Sequence, residues 1–168
     1  MGSASAWQLS KRGRRVIGFD RFHPPHNMGS STGKTRIIRE AYWESPFYVP
    51  IVRRAYDLWD ELEQGSGKHL LTRTGGLVLG VPGGPLVSGA LESAGIHDVP
   101  FEELNAAQVR KRFPTFRVRD GTVGIYEPRA GVLIPEASIG AMLGEASKGG
   151  AELHYDEPVI RWAPDGEG

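Results

Sequence analysis

The pattern of apolar and polar positions predicts alternating helices and strands. Apolar residues between Pro46 and Gln64 recur at the i, i+3, i+4 spacing of one helical face, which predicts an amphipathic helix. A compact apolar run at 15–20 ends in Asp20 and is typical of a buried parallel strand. Further helices are predicted at 2–9, 86–94, 105–113 and 135–148, and further strands at 76–81, 122–126, 132–134, 153–155 and 159–162. The pattern favours an α/β or α+β chain.

The composition fits a globular chain and narrows its partners. With 168 residues, 39% of them hydrophobic, the chain is long enough to bury a core. Its 20 basic and 20 acidic residues cancel, and its apolar stretches are short, so we expect no nucleic acid and no membrane partner. The sequence has no cysteine, which excludes a disulfide or a thiolate metal site within it. We predict no metal and a cytoplasmic location.

The N-terminal part is basic and contains half of a dinucleotide-binding pattern. Residues 1–54 carry 10 basic and 3 acidic side chains, a balance that suits an anionic ligand. The full pattern is a strand, a G-x-G-x-x-G turn, a helix and a second strand ending in an acid. Gly2 fits the third glycine, and Asp20 follows it by 18 residues. The first strand and the first two glycines of the pattern are not in the sequence. The alternative interpretation, an ordinary helix and strand that ends in a solvated acid, therefore stays open.

The loop after this strand suggests a competing site. Its string GSSTGKT, at 29–35, is similar to a P-loop in which Lys34 would reach phosphates and Thr35 a magnesium ion. That motif requires a glycine where Met28 stands and a strand where the sequence has Pro24 and Pro25. A P-loop nucleotide-binding protein is therefore the weaker alternative.

A longer stretch around the same loop has a specific resemblance. The strings DRFHPPHNMGSSTGKTRIIREAY, at 20–42, and YVPIVRRAYDLWDELE, at 48–63, resemble the monomeric sarcosine oxidase family, which includes N-methyltryptophan oxidase and pipecolate oxidase. The likeness continues to the end of the chain. It implies part of an FAD-binding Rossmann-like, doubly wound domain that lacks its first strand, together with part of an α+β substrate domain. We expect a chain cut at both ends, with FAD-binding segments at 1–75 and 135–168 around a substrate segment at 76–134.

The resemblance also implies which residues hold the cofactor. Asp20 would accept hydrogen bonds from the adenosine ribose, and Val159 would present its backbone to the adenine. The remaining cofactor-binding residues implied by the likeness are Gly2, Arg21, His26, Ser30, Ser31, Arg36 and Ile37. Read without the resemblance, Ser30 and Ser31 are plain turn residues.

Two arginines and one threonine carry the implied chemistry. Arg36 would place a fixed positive charge against the flavin ring, and Arg39 would pair with the substrate carboxylate. Thr32 stands in the active-site loop where many relatives have histidine, which leaves the exact substrate open. Two arginines three apart also suit a solvated helix face, which is the alternative.

The implied activity is oxidation of a secondary amine of an N-methyl amino acid. FAD would accept a hydride equivalent, the imine would be hydrolysed, and oxygen would be reduced to hydrogen peroxide. The partners are then a small amino-acid substrate and oxygen, in a protein that is monomeric in the intact family. A non-catalytic fold remnant remains a further alternative. Aromatic residues at helical spacing are predicted to be core: Trp43, Tyr48, Trp59 and Trp162.

Overall fold

Helices and strands alternate along the part of the chain that the computed structural model describes, residues 1–164 and 166. The helices are α1 (Gly2–Lys11), α2 (Tyr48–Ser66), α3 (Pro85–His97), α4 (Ala106–Arg112) and α5 (Pro135–Lys148). The strands are β1 (Ile17–Phe19), β2 (Arg36–Ile38), β3 (Leu71–Thr72), β4 (Gly76–Gly80), β5 (Glu102–Asn105), β6 (Val123–Glu127), β7 (Gly131–Leu133) and β8 (Glu152–His154). The mixed α/β class predicted from the sequence is confirmed.

The elements group into two compact units. Unit 1 comprises Met1–Arg36, Glu61–Leu70 and Ile134–Gly168, and unit 2 comprises Ile37–Asp60 and Leu71–Leu133. The predicted domain segments, with limits at 75 and 134, concern the whole protein and stay a prediction. Within this chain, the segment 37–60 belongs with 71–133 rather than with the N-terminal residues.

Unit 1 is built on two helices and a parallel strand pair. β1 lies parallel to β8, with Ile17 opposite Glu152 and Phe19 opposite His154. α1 packs against α5, where the Ser3 hydroxyl donates to the Met142 sulfur over 3.6 Å. Parallel strands are normally joined by a crossover that contains a helix. Here α5 is the helix that directly precedes β8. The unit's buried apolar residues are Ala6, Trp7, Leu62, Leu70, Ala141 and Ala146.

Unit 2 contains two small sheets with helices on them. In one sheet β6 is central and antiparallel to both β4 and β5, and in the other β7 lies between β2 and β3. The amphipathic pattern of α2 is confirmed, because Val52 and Tyr56 are buried against Ile38 and Leu133. A second cluster joins α2 to α3 through Ala41, Val49, Ala94 and Val99.

The cap predicted for α4 is confirmed. The Asn105 side chain accepts from the Gln108 amide over 2.9 Å, and the Gln108 side chain accepts from the Asn105 amide over 2.8 Å. This reciprocal pair satisfies two backbone donors that a helix start leaves free. A seven-residue helix benefits from it, because short helices are marginal by themselves.

Three predictions about apolar residues are wrong. The run at 15–20 forms the parallel strand β1, but this strand is not buried, because Ile17 and Phe19 are 57% and 44% exposed. The segment 159–162 forms no strand, and its Val159 and Trp162 are 61% and 79% exposed. Of the four aromatic residues predicted to be core, only Trp59 packs against a buried cluster, whereas Trp43 and Tyr48 are exposed. Spacing identifies a face or an extended run, but a strand also requires a partner and a core residue requires a neighbouring element. Among the described helices, none is long and apolar enough to cross a membrane.

Candidate cofactor-binding site

A cleft of about 270 Å³ lies in unit 1 where β1 ends and α1 begins. Its lining includes four residues proposed from the sequence to hold a cofactor. These are Gly2, Asp20, His26 and Ser31. Sites for whole drug-sized molecules usually measure about 300 to 1,000 Å³. The cleft therefore has room for one part of a dinucleotide rather than for the whole molecule.

The N-terminus of α1 offers free backbone donors to this cleft. The first helical hydrogen bond runs from the Ser5 amide to the Met1 carbonyl over 3.1 Å. Within the described residues, no side chain caps the helix, and a Cβ added at Gly2 would meet nothing within 4 Å. Open amides with a partial positive charge at a helix start are suited to a phosphate group.

Asp20 lies at the end of β1 and keeps part of its carboxylate available. One oxygen accepts from the Phe22 amide over 3.0 Å, and the other lies 3.3 Å from His26 Nε2. The side chain is 37% exposed. Each carboxylate oxygen has two lone pairs, so further acceptor sites remain for a diol such as ribose.

Part of the cleft lining is apolar and aromatic. Ile139 and Leu143 of α5, Leu153 of β8 and Tyr155 supply it. Burial raises the pKa of the Tyr155 phenol, and the nearby charge of Asp20 adds to the rise. Phosphate donors, a ribose acceptor and an apolar wall together fit the adenosine diphosphate part of FAD.

The loop at 29–36 is folded around the guanidinium of Arg36. Its Nη2 donates to the carbonyls of Ser30 and Thr32 over 3.0 and 2.6 Å, and its Nη1 donates to that of Thr35 over 2.8 Å. A fourth contact comes from α5, where Glu136 accepts from the Gly33 amide over 2.9 Å. This hydrogen bond lowers the pKa of Glu136, with lesser contributions from the backbone amide of Glu136 itself and from the Arg36 charge.

This loop does not have P-loop geometry. A P-loop leads from a strand into a helix whose first turn carries the hydroxyl that binds the metal. Here the loop leads into strand β2, and Lys34 and Thr35 are exposed residues before that strand. The P-loop alternative is therefore wrong for this chain.

The predicted substrate arginine lies in unit 2. Arg39 lies over the Tyr42 ring at 4.5 Å, and its Nη2 is 3.6 Å from Glu44. Its Nε is buried and has no hydrogen-bond partner among the described residues. Arg39 and Ile37 line a separate cavity of about 100 Å³ whose other walls are mainly apolar. Arg39 thus retains donors that are not engaged with the protein.

Two buried carboxylates lie near Arg39, and one of them, Glu127, holds the adjacent backbone. Glu127 is 5% exposed, and its two oxygens accept from the amides of Glu40 and Ala41 over 2.7 and 3.0 Å. Glu40 is fully buried, with Arg53 Nε at 2.9 Å from one oxygen. Arg129 Nη1 lies 2.9 Å from its other oxygen, outside hydrogen-bond geometry, so that contact is an ion pair. Burial raises the pKa of Glu127, and the two amides oppose the rise.

The remaining predicted site residues lie outside the cleft lining. Arg21 and Ser30 are exposed, and Thr32 contributes its carbonyl to Arg36. Val159 lies with Phe19 in a shallow groove formed by residues 157–162. Sequence reasoning did not find Tyr155, Glu136 or Glu127. Only the position of Glu136 in the first turn of a helix that begins with Pro135 marks it as unusual in the sequence.

His154 on β8 lies between two carboxylates. Its Nε2 is 2.8 Å from Glu152 and its Nδ1 is 3.1 Å from Glu157. The hydrogen bond with Glu152 raises the pKa of His154 above 6.5, and Glu157 adds to the rise. Because the pKa of His154 is higher in the folded chain than in the unfolded chain, the two pairs stabilise the fold fully at pH values below the unfolded-state pKa. This stabilisation is lost as pH rises through the folded-state pKa.

We expect an NMR titration of the His154 ring to give a midpoint above 6.5. Glu157→Gln removes one of the two charges and should move the midpoint down, towards that of an unpaired histidine. The free energy of unfolding should fall as pH rises through the same midpoint. A wild-type midpoint at or below 6.5 would contradict the arrangement.

Comparison with known families identifies the class of protein. The family described as FAD dependent oxidoreductase matches residues 1–168, so this chain belongs to the FAD-dependent oxidoreductases. It is 45% identical over 168 residues to monomeric sarcosine oxidase of Streptomyces avermitilis, covering 100% of the chain and 44% of that protein. It is 35% identical over 159 residues to N-methyl-L-tryptophan oxidase of Yersinia pestis, covering 95% of the chain and 43% of that protein.

Solved structures agree with this assignment. The open form of NikD, an unusual amino acid oxidase essential for nikkomycin biosynthesis, superposes with a TM-score of 0.84 at 26% identity. The match covers 99% of this chain and 43% of NikD. The resemblance to sarcosine and N-methyltryptophan oxidases predicted from the loop motif is confirmed, and the chain spans less than half the length of these relatives.

Proposed function

We propose that this chain supplies the adenosine diphosphate part of the FAD site in an amine oxidase that acts on amino acids with secondary amines. The observation that carries the proposal is the unit 1 cleft, which combines the open start of α1, the Asp20 carboxylate and an apolar wall. Membership of the FAD-dependent oxidoreductases supports it. The whole cofactor site would include parts of the protein beyond this cleft.

Each proposed role follows from the chemistry of its group. Amides at Gly2 and Ser3 would donate to the pyrophosphate, and Asp20 would accept from the ribose hydroxyls. Ser31 and His26 line the same cleft and would donate to oxygens of the cofactor. Val159 would contact the adenine through its backbone. Further contacts with the cofactor would come from Arg21, Ser30 and Ile37.

The redox chemistry belongs to the cofactor. When bound, FAD accepts a hydride equivalent from the carbon beside the amine and passes the electrons to oxygen, which gives hydrogen peroxide. Arg36 would hold a positive charge beside the flavin. Thr32, in the same loop, would also lie in the active site. Arg39 would bind the substrate carboxylate with its free donors. The imine product would then be hydrolysed by water.

The substrate class follows from the relatives. The two curated relatives are named as sarcosine and N-methyl-L-tryptophan oxidases, so we propose an N-methyl amino acid as substrate. The name of the first relative also supports a monomer. The balanced charge of the sequence supports a protein that binds neither nucleic acid nor membrane. A cytoplasmic location remains part of the same proposal.

The first test is retention of FAD by the purified 168-residue chain after desalting. The chain should keep visible flavin absorbance, and ADP should displace the FAD, because the cleft has room for only that part of the molecule. FMN, which lacks the adenosine part, should bind much more weakly. Loss of all flavin on desalting, together with no ADP binding, would contradict the proposal and favour a non-catalytic remnant.

Asp20→Ala should weaken FAD binding by about tenfold to a hundredfold, which corresponds to the loss of one or two hydrogen bonds to a charged group. The measurement is a titration of FAD fluorescence against the chain. Asp57→Ala is the matched control, since Asp57 is an exposed acid of unit 2 paired with Arg54. Equal affinities for the two variants would remove Asp20 from the site.

A further inference from the structure

One carboxylate of α5 reaches a loop that is more than 100 residues earlier in the chain. Glu136 Oε1 accepts from the Gly33 amide over 2.9 Å, across a separation of 103 residues. Within the described residues, this hydrogen bond ties the loop at 29–36 to a helix of the same unit. Further hydrogen bonds are made within the loop by Arg36.

Gly33 has the conformation that this contact requires. Its φ is +128°, in a region that residues with a side chain rarely adopt. A Cβ added there would lie 2.9 Å from Arg36 Nη1. The amide of Gly33 therefore points to Glu136 while its α-carbon lies against the Arg36 guanidinium, which leaves the guanidinium little freedom to move inwards.

Two sets of hydrogen bonds therefore fix the loop, one within it and one to α5. Arg36 gathers three carbonyls around its guanidinium, which shapes the loop internally. Those bonds do not hold the loop to the rest of unit 1, because all their partners move with it. The Glu136 contact supplies that anchor, and its carboxylate also balances part of the Arg36 charge.

From this geometry we infer that Glu136 is a positioning residue for the loop that carries Ser30, Ser31 and Arg36. Glu136 is not among the residues that line the cleft, but it holds Gly33, and through Gly33 the guanidinium of Arg36. The inference rests on the proposed FAD site, because the loop that Glu136 would hold carries Ser30, Ser31 and Arg36 of that site. A preorganised loop avoids the entropy cost of ordering on binding.

A carboxylate in a first helical turn can instead act only on the helix, through its charge. The two roles respond differently to Glu136→Gln. Glutamine keeps a carbonyl oxygen that can accept from Gly33 but has no charge to offer the helix start. Rescue by glutamine therefore indicates positioning, whereas a loss equal to that of Glu136→Ala indicates a helix effect.

The experiment has two readouts on the full 168-residue chain. The first is the rate of trypsin cleavage after Lys34, followed by mass spectrometry without FAD, because Lys34 is exposed in the loop. The second is FAD affinity from flavin fluorescence. Glu136→Ala should raise the cleavage rate several-fold and weaken FAD about tenfold, whereas Glu136→Gln should stay within about twofold of wild type on both readouts.

Two further variants keep the test independent of the folding of α5. Glu145→Ala removes a carboxylate of the same helix that pairs with Lys148, and it should match wild type. Gly33→Ala disturbs the contact from the loop side and should raise cleavage after Lys34, whereas Gly29→Ala, where an added Cβ meets its nearest atom at 3.7 Å, should not. Unchanged total helix content by circular dichroism shows that the variants keep their helices.

Unchanged cleavage and FAD affinity in Glu136→Ala would overturn the inference, and so would an equal loss in Glu136→Gln. If the wild-type chain binds no FAD, the proposed function fails. The cleavage readout still decides whether Glu136 holds the loop. The two failures are therefore distinguishable.

Discussion

Replacing Gly89 with alanine is expected to lower the free energy of unfolding by about 1 to 3 kcal/mol, the usual cost of forcing an atom into a packed site. Gly89 is in α3, where the helix meets the backbone of Trp43. An added Cβ would fall far inside contact distance of the Trp43 carbonyl oxygen and 2.9 Å from its carbon. Backbone cannot rotate away as a flexible side chain can, so the helix must shift. Urea unfolding followed by circular dichroism measures the loss.

A matched control lies six residues later on the same helix. Gly95 is exposed, and a Cβ added there would meet nothing within 4 Å. Alanine is a better helix former than glycine, so Gly95→Ala should raise the free energy of unfolding by about 0.5 to 1 kcal/mol. Replacing glycine with alanine should therefore lower the free energy of unfolding at position 89 and raise it at position 95. A gain at Gly89 would show that α3 does not approach Trp43 this closely.

The second large effect is expected at Glu127. Glu127→Ala should cost about 3 kcal/mol, because the buried amides of Glu40 and Ala41 would lose their acceptor. The relief of removing a desolvated carboxylate offsets part of this loss, since burial already raises the pKa of Glu127. The measurement is the midpoint and slope of urea unfolding, which separates a change in stability from a change in cooperativity.

Two comparisons refine the Glu127 prediction. Glu127→Gln retains one acceptor oxygen but turns an NH₂ group towards the second amide, so its cost should lie between those of wild type and alanine. Glu103→Ala, on the neighbouring strand β5, removes an exposed carboxylate and should change stability by less than about 0.5 kcal/mol. A similar loss in Glu103→Ala and Glu127→Ala would contradict the buried clamp.

The local parts of the fold and site follow from the sequence. Helical spacing identified α2, and the start at Asn105 identified the cap of α4, because both depend on residues a few positions apart. Gly2 and Asp20 were proposed as site residues for a related reason. A glycine at a helix start and an acid at the next strand end form a pattern within 18 residues.

The long-range parts could not be found this way. The strands β2, β3 and β5 are two to four residues long and are defined by their partners rather than by an apolar run. Tyr155 reaches the cleft, and Glu136 the loop, only after the chain has returned from more than 100 residues away. Glu127 resembles a solvated strand-end acid in the sequence, and only the backbone folded over it shows that it is buried.

The pairing of β1 with β8 has a consequence for synthesis of the protein. One wall of the cleft comes from residues 1–31 and the other from 139–155, so the cleft cannot form until the second wall has been made. At usual translation rates of about 5 to 20 residues per second, the first wall waits on the order of ten seconds for its partner. During that interval Ile17 and Phe19 lack their neighbouring strand. Nascent chains of this protein are therefore expected to expose this strand edge, and to lack a complete cleft, until β8 has been synthesised.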